Sequence, residues 1–151
     1  MAESTADRAE QSVARLLRSR EVRLTAARRL VVRALAEADG PMAAADLHRT
    51  LRRQIPLSSL YRTLAVLEQS RVLTKEHDGL GVARYELAEW LAGHHHHLVC
   101  DSCGEVRDVT VPPQAELAFT NLVGRIAARA GYRATGHRID IEGTCRACRE
   151  S

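Results

Sequence analysis

The sequence predicts an α+β protein in two unequal parts: a run of short helices closed by a β-hairpin, then a smaller strand-strand-helix-strand unit. Three observations carry that reading. Apolar residues recur at helical spacing up to about residue 70, then alternate in two short segments joined by Asp78-Gly79-Leu80-Gly81. A second change of period follows residue 93, where strand-like segments flank one long amphipathic stretch. Charge and ligand chemistry divide within the hairpin. Residues 1–77 carry 14 Lys/Arg against 9 Asp/Glu, whereas residues 78–151 carry 8 against 10 and hold all four cysteines.

Residues 1–9 read as a frayed polar start, followed by a helix from Glu10 to Arg20 with Val13, Leu16 and Leu17 on one face. Thr25 is suited to cap a second helix carrying Ala27, Leu30, Val31, Ala34 and Leu35, and Asp39-Gly40-Pro41 stops it. A third helix is expected over Ala43–Arg53 and a fourth over Ser58–Ser70, with Leu60, Leu64 and Leu67 inward. Strands are expected at Val72–His77 and Val82–Leu87, then a linker at Ala88–Gly93. Beyond it the pattern predicts strands His95–Val99 and Glu105–Val111, a helix Gln114–Ala130 after Pro112-Pro113, and a strand His137–Glu142. Helices followed by a hairpin are the order of a winged helix-turn-helix, whose last helix enters the major groove of DNA. Tyr61 and Arg62, with Ser58 and Ser59, then sit early on the recognition helix, where phosphates and base edges are reached. The alternative for Tyr61 is a half-buried packing role. The final α+β unit has an exposed strand edge, which favours dimerisation.

At 151 residues the chain fits one domain or two small ones, and two small ones need a metal or a partner to hold together. It has no long apolar stretch and no apolar leader at its N-terminus. A cytoplasmic setting is expected, where paired Cys-x-x-Cys binds metal more often than it forms disulfides. Cys100-x-x-Cys103 and Cys145-x-x-Cys148 fit a tetrahedral Zn²⁺ site assembled by the fold, with redox-active thiols as the competing reading. His94-His95-His96-His97 precedes the first pair. On a strand, His95 and His97 face one way and His94 and His96 the other, so the run can serve two sites. Glu86 and Asp108 can complete the first set; His137, with Glu116 as a weaker candidate, can complete the second. Mixed N/O donors suit Zn²⁺, Fe²⁺, Ni²⁺ or Mn²⁺ without choosing among them.

In these motifs the sequence resembles the Fur superfamily of metal-dependent regulators, which includes iron, zinc, nickel, manganese and peroxide sensors. The matching segments are Arg23-Leu-Thr25…Arg28, Ser59-Leu-Tyr61-Arg62-Thr-Leu64, Ala83-Arg-Tyr85-Glu86-Leu87, His94 through Gly104, Gly131-Tyr…His137 and Gly143-Thr-Cys145-x-x-Cys148. They span about residues 12–148. The resemblance implies a homodimeric repressor of metal-homeostasis genes that binds a palindromic operator in double-stranded DNA. It implies a winged-helix DNA-binding domain at 1–87, a hinge at 88–93 and a dimerisation and metal-binding domain at 94–151. The cysteines become a structural zinc site, and Glu86, His95, His97 and Asp108 a regulatory hinge site for Fe²⁺ or Zn²⁺, with Ni²⁺ or Mn²⁺ also allowed. His94, His96 and His137 become a second site, while Arg23, Tyr61 and Arg62 match DNA-contacting positions. Neither a membrane nor a small organic substrate is expected as a partner.

Departures from the pattern narrow the reading. Pro41-Met42 stands where many members supply a hinge histidine, which argues against peroxide sensing by oxidation of that residue. The helix glutamate of the second site aligns near Thr120, with Glu116 one turn earlier. His77 lies where nickel sensors place a ligand, but its partner position is Lys75. The rival functions are a DNA-binding module whose zinc is purely structural, and a zinc-storage or metallochaperone protein. A zinc enzyme is disfavoured, since no His-Glu-x-x-His or deaminase signature occurs.

Overall fold

The computed structural model describes residues 4–52 and 54–150. Residues 1–3 of the expected frayed start, and Arg53 at the expected end of the third helix, lie outside the described residues. The element order is α1 (Thr5–Ser19), α2 (Ala26–Ala36), β1 (Met42–Ala43), α3 (Ala44–Thr50), α4 (Leu57–Gln69), β2 (Leu73–His77), β3 (Ala83–Leu87) and α5 (Glu89–Ala92). It continues with β4 (His96–Cys100), β5 (Val106–Val109), α6 (Pro113–Arg129), β6 (Asp140–Gly143) and α7 (Arg146–Arg149).

The first helix starts well before Glu10, which corrects the expectation of a frayed N-terminus. Ser4 caps it by accepting from the Asp7 N–H at 3.1 Å, and the Asp7 carboxylate accepts in return from the Ser4 N–H. Ala6, Ala9, Val13 and Leu17 recur at three- and four-residue spacing and are all buried. Two alanines among charged residues had masked the apolar stripe. The α1 face is tied to α2 by Arg33, which donates to Asp7 at 2.6 Å and to Glu10 at 3.0 Å.

Leu17, Val31, Val32, Leu47, Leu60, Leu64, Leu67 and Val72 form the centre of one hydrophobic core beneath the helices and the β2–β3 hairpin. In the hairpin Leu73 pairs with Leu87 and His77 with Ala83. Its turn is organised by the Asp78 carboxylate, which accepts from the backbone N–H groups of Leu80 and Val82 and from Arg84 Nε. The two-residue strand β1, too short to leave a periodic signal, adds to β3 through Met42 and Tyr85. The third helix is shorter than expected, because the chain turns at Leu51–Arg52, where Arg52 has φ 48°. The expected linker at 88–93 contains the short helix α5, and Ala88 within it is buried.

The second sheet has the order β5-β4-β6, with β4–β5 antiparallel and β4–β6 parallel. The parallel pairing requires a crossover, and α6 supplies it. His137 precedes β6 rather than opening it, since the strand begins at Asp140. Helix α6 buries none of its residues within the chain and leaves Leu117, Leu122 and Ile126 exposed. The halves meet closely at Gly40: a Cβ there would lie 2.7 Å from the Val106 carbonyl oxygen, and beside it the Asp108 N–H donates to the Asp39 carbonyl at 2.9 Å. Among the described residues, no helix is long and apolar enough to cross a membrane.

Because Leu17 is fully buried at the base of α1, Leu17→Ala is expected to cost about 2–5 kcal/mol in denaturant unfolding of the zinc-loaded protein. A loss below about 1 kcal/mol would mean that α1 is not part of the core.

Candidate metal centres and nucleic-acid face

The parallel β4–β6 ladder sets Cys100 beside Gly143, so the knuckle at the end of β4 meets the one that follows β6. The four Sγ atoms of Cys100, Cys103, Cys145 and Cys148 all lie within 4.8 Å of one another, and none is in a disulfide. Cys103 and Cys145 are 3.9 Å apart, close to the roughly 3.8 Å that tetrahedral Zn–S bonds of about 2.3 Å impose. The Cys145 N–H donates to Cys100 Sγ at 3.2 Å. That bond, with further backbone donors from the first knuckle, brings the Cys100 thiol down to about 6. Cys148 is pushed up to about 12 by its hydrogen-bonded neighbours Cys145 and Cys103. Four thiols this close cannot all ionise without a cation, so the donor set fits a structural zinc ion. Helix α7, unforeseen from the sequence, spans the second knuckle.

A second cluster joins the two halves of the chain. Glu86, on β3 of the winged part, has Oε2 3.0 Å from His95 Nε2 and 3.1 Å from His97 Nε2. Asp108 on β5 places Oδ1 3.7 Å from His97 Nε2 and 3.9 Å from His95 Nε2. Burial opposes ionisation of Glu86, but hydrogen bonds from His97 and His95, reinforced by their charge, hold it below the usual carboxylate range. The hydrogen bond to Glu86 in turn raises His97 to about 9, against the opposing effect of burial. Burial also resists protonation of His95, yet its bond to Glu86 raises it as well. Asp108 is raised, mainly by desolvation. A proton and a divalent cation would therefore compete for the same nitrogens.

The third cluster lies on the opposite face of the histidine run. Glu116 on α6 contacts His94 Nε2 at 3.2 Å, His96 Nε2 at 2.8 Å and His137 Nε2 at 3.1 Å. All four residues have donor atoms within 4.8 Å of one another. Glu116, the weakest of the expected ligands, is thus at the centre of the cluster; its hydrogen bond from His96 lowers its pKa. The strand begins only at His96, yet the alternation of faces extends back through His94 and His95. His77 belongs to none of these clusters.

Ser58, Ser59, Tyr61 and Arg62 occupy the first two turns of α4, which starts after Pro56 without a side-chain cap, leaving early backbone N–H groups open to an anion. Tyr61 is 52% exposed, against a packing role. Arg23 is exposed on the loop before α2 and holds its backbone near Arg28, whose guanidinium donates to the Arg23 carbonyl. Three partners escaped the sequence reading: Asp140, 3.1 Å from His97 Nδ1; Glu89, 3.0 Å from His94 Nδ1; and Arg138, ion-paired with Glu76. Alternation placed Asp140 on a face but could not show which strand lay beside it.

The proton on His97 sets a pH dependence. A folded value of about 9 against an ordinary 6.5 means that the ion-paired, metal-free cluster stabilises the fold fully below pH 6.5 and loses that contribution as pH rises through 9. Metal must displace this proton, so affinity at the His95–His97 cluster is expected to climb between those pH values, with proton release, in chelator-competition titrations. A flat profile over that range would refute the protonated cluster.

Comparison with known proteins agrees with this geometry. The sequence pattern of the ferric uptake regulator family matches residues 19–142. The chain is 32% identical to the ferric uptake regulation protein of Bacillus subtilis over 137 residues, covering 87% of this chain and 89% of that one. It is 33% identical to that of Neisseria meningitidis serogroup B over 114 residues, 74% of each. The fold is similar to that of the Helicobacter pylori ferric uptake regulator, with a TM-score of 0.74 and 20% identity, covering 100% of this chain and 99% of that one. It is also similar to the Vibrio cholerae regulator, with a TM-score of 0.71 and 25% identity, covering 88% and 99%. Proteins of this kind are metal-binding, DNA-binding transcription regulators that act as dimers, and they are not enzymes. The chain belongs to the ferric uptake regulator family.

Proposed function

We propose that the protein is a cytoplasmic, homodimeric repressor of metal-homeostasis genes that binds a palindromic operator when a divalent metal occupies the hinge site. One observation carries this reading: Glu86 comes from the winged part, whereas the His95, His97 and Asp108 atoms around it come from the second part. Residues 1–87 then form the DNA-binding domain, 88–93 the hinge and 94–151 the dimerisation and metal-binding domain. Arg23, Ser58, Ser59, Tyr61 and Arg62 meet the DNA.

Glu86, His95, His97 and Asp108 would hold the regulatory ion, and Cys100, Cys103, Cys145 and Cys148 the structural zinc. His94, His96, Glu116 and His137 form the second site. A divalent cation at the hinge supplies positive charge that can hold both carboxylates and both imidazoles at once. By gripping it, Glu86 ties the β2–β3 hairpin to β4 and β5, and so fixes the angle of α4 to the rest of the dimer. Two recognition helices set about one turn of DNA apart then match a palindrome. Driving such a two-state equilibrium from mostly off to mostly on takes about 5 kcal/mol of differential affinity. Fe²⁺ or Zn²⁺ is the regulatory metal that the family resemblance favours, and the N/O donor set itself is equally compatible with Ni²⁺ and Mn²⁺. The exposed Leu117, Leu122 and Ile126 of α6, with Leu98 and Ile141, support a second copy as the cover of that face.

The rival is a DNA-binding protein with structural zinc alone, in which the hydrogen bonds of His95 and His97 to Glu86 are purely structural contacts. A double variant separates the two. His95→Ala/His97→Ala is expected to abolish metal-dependent operator binding while keeping the dimer and the cysteine-bound zinc, measured by fluorescence anisotropy and sedimentation. Unchanged metal dependence would sink the hinge model. A chelator too weak to strip the cysteine site should release wild-type protein from DNA, and retained binding would favour the rival.

A further inference from the structure

His97 is held at both ring nitrogens, and one of its partners belongs to no ligand set. In the parallel ladder of β4 and β6, His97 pairs with Asp140, and the His97 N–H donates to the Ile139 carbonyl at 3.2 Å. That register places the Asp140 carboxylate beside the imidazole, where Nδ1 donates to Oδ1 at 3.1 Å. The other nitrogen, Nε2, is 3.1 Å from Glu86 Oε2 and 3.7 Å from Asp108 Oδ1. With the Nδ1 proton committed to Asp140, a neutral ring keeps its lone pair on Nε2, facing the other ligand atoms. A carboxylate on the remote nitrogen also makes the imidazole a better donor. His95 is oriented differently: its Nδ1 donates to the Gly93 carbonyl at 2.9 Å, a backbone group that no side-chain change removes. Two residues before Asp140, Arg138 pairs with Glu76 of β2, holding this stretch of chain against the wing.

We propose that Asp140 is a positioning residue of the hinge site, selecting Nε2 of His97 as the metal-binding nitrogen and holding the ring toward Glu86. The inference rests on the hinge reading given above. Asp140 makes no contact with DNA in that reading and is exposed, its side chain 43% accessible, so replacing it leaves the core intact.

The test is a Co²⁺ titration of zinc-loaded protein in a His94→Ala/His96→Ala background, which removes two of the four donors of the third cluster. Binding is read from d–d absorption in competition with a chelator. Asp140→Ala, and the larger, apolar Asp140→Leu, are expected to weaken Co²⁺ binding by about 10–100-fold. Asp140→Asn keeps an acceptor for Nδ1–H and is expected to stay within about threefold of the parent, with the cysteine-bound zinc unchanged in all three. Parental affinity in the Ala and Leu variants would overturn the proposal. So would an Asn variant as weak as the Ala variant, because the carboxylate would then act as a ligand or a charge rather than as an acceptor. His97→Ala, titrated alongside, separates the two readings. If it leaves Co²⁺ binding unchanged, the hinge site itself fails; if it abolishes binding that Asp140→Ala spares, only the role of Asp140 fails.

Discussion

The part of the chain after Ala88 hides almost no hydrocarbon within itself. Among the described residues beyond that point, the buried ones are His96, His97, Cys100 and Gly104, and no aliphatic side chain joins them. The winged part, by contrast, closes over leucines and valines that are fully buried. A fold built so unequally cannot rest on the hydrophobic effect at both ends. Its second part is held by a three-stranded ladder, by thiol and imidazole clusters that need cations or protons, and by surfaces left open on α6. Its order therefore depends on what binds to it.

That dependence is what a metal-binding regulator can use. The cluster around Glu86 takes that residue from the well-packed part and sets it among His95, His97 and Asp108 of the weakly packed part. Hydrogen bonds from His97 and His95 hold Glu86 below the usual carboxylate range, and the same bond raises His97. Around the cluster, the Asp108 N–H bond to Asp39, the close approach at Gly40 and the Arg138–Glu76 ion pair add contacts that need no metal. The wing turn also packs near Gly104, where a Cβ would come within 2.9 Å of Leu80 and 3.2 Å of the Asp78 carboxylate. The cysteine knuckle and the wing are thus mechanical neighbours.

Much of this was legible in one dimension. Local signals placed α2, α4, the hairpin and α6 within a few residues, because a cap at Thr25, prolines before α4 and α6, and strict apolar periods act over short distances. The α1 start was missed, since buried alanines between charged residues carry a weak periodic signal. β1, α5 and α7 were too short to have one. The parity of four consecutive histidines divided them between two faces, and the structure groups their side chains in the same way even though two of the four lie outside the strand.

By itself the sequence determined the donor chemistry, the order of elements, the family resemblance and the division of the histidines, all of which depend on residue type and near spacing. Only the tertiary structure decided that Glu116 rather than a residue one turn later reaches the third cluster, that Asp140 stands beside His97, and that Arg138 grips the wing. Those pairings join residues 20, 43 and 62 positions apart, through strand register and the crossover of α6. Register and crossover are settled by the packing of whole elements, and no local pattern in the chain encodes them.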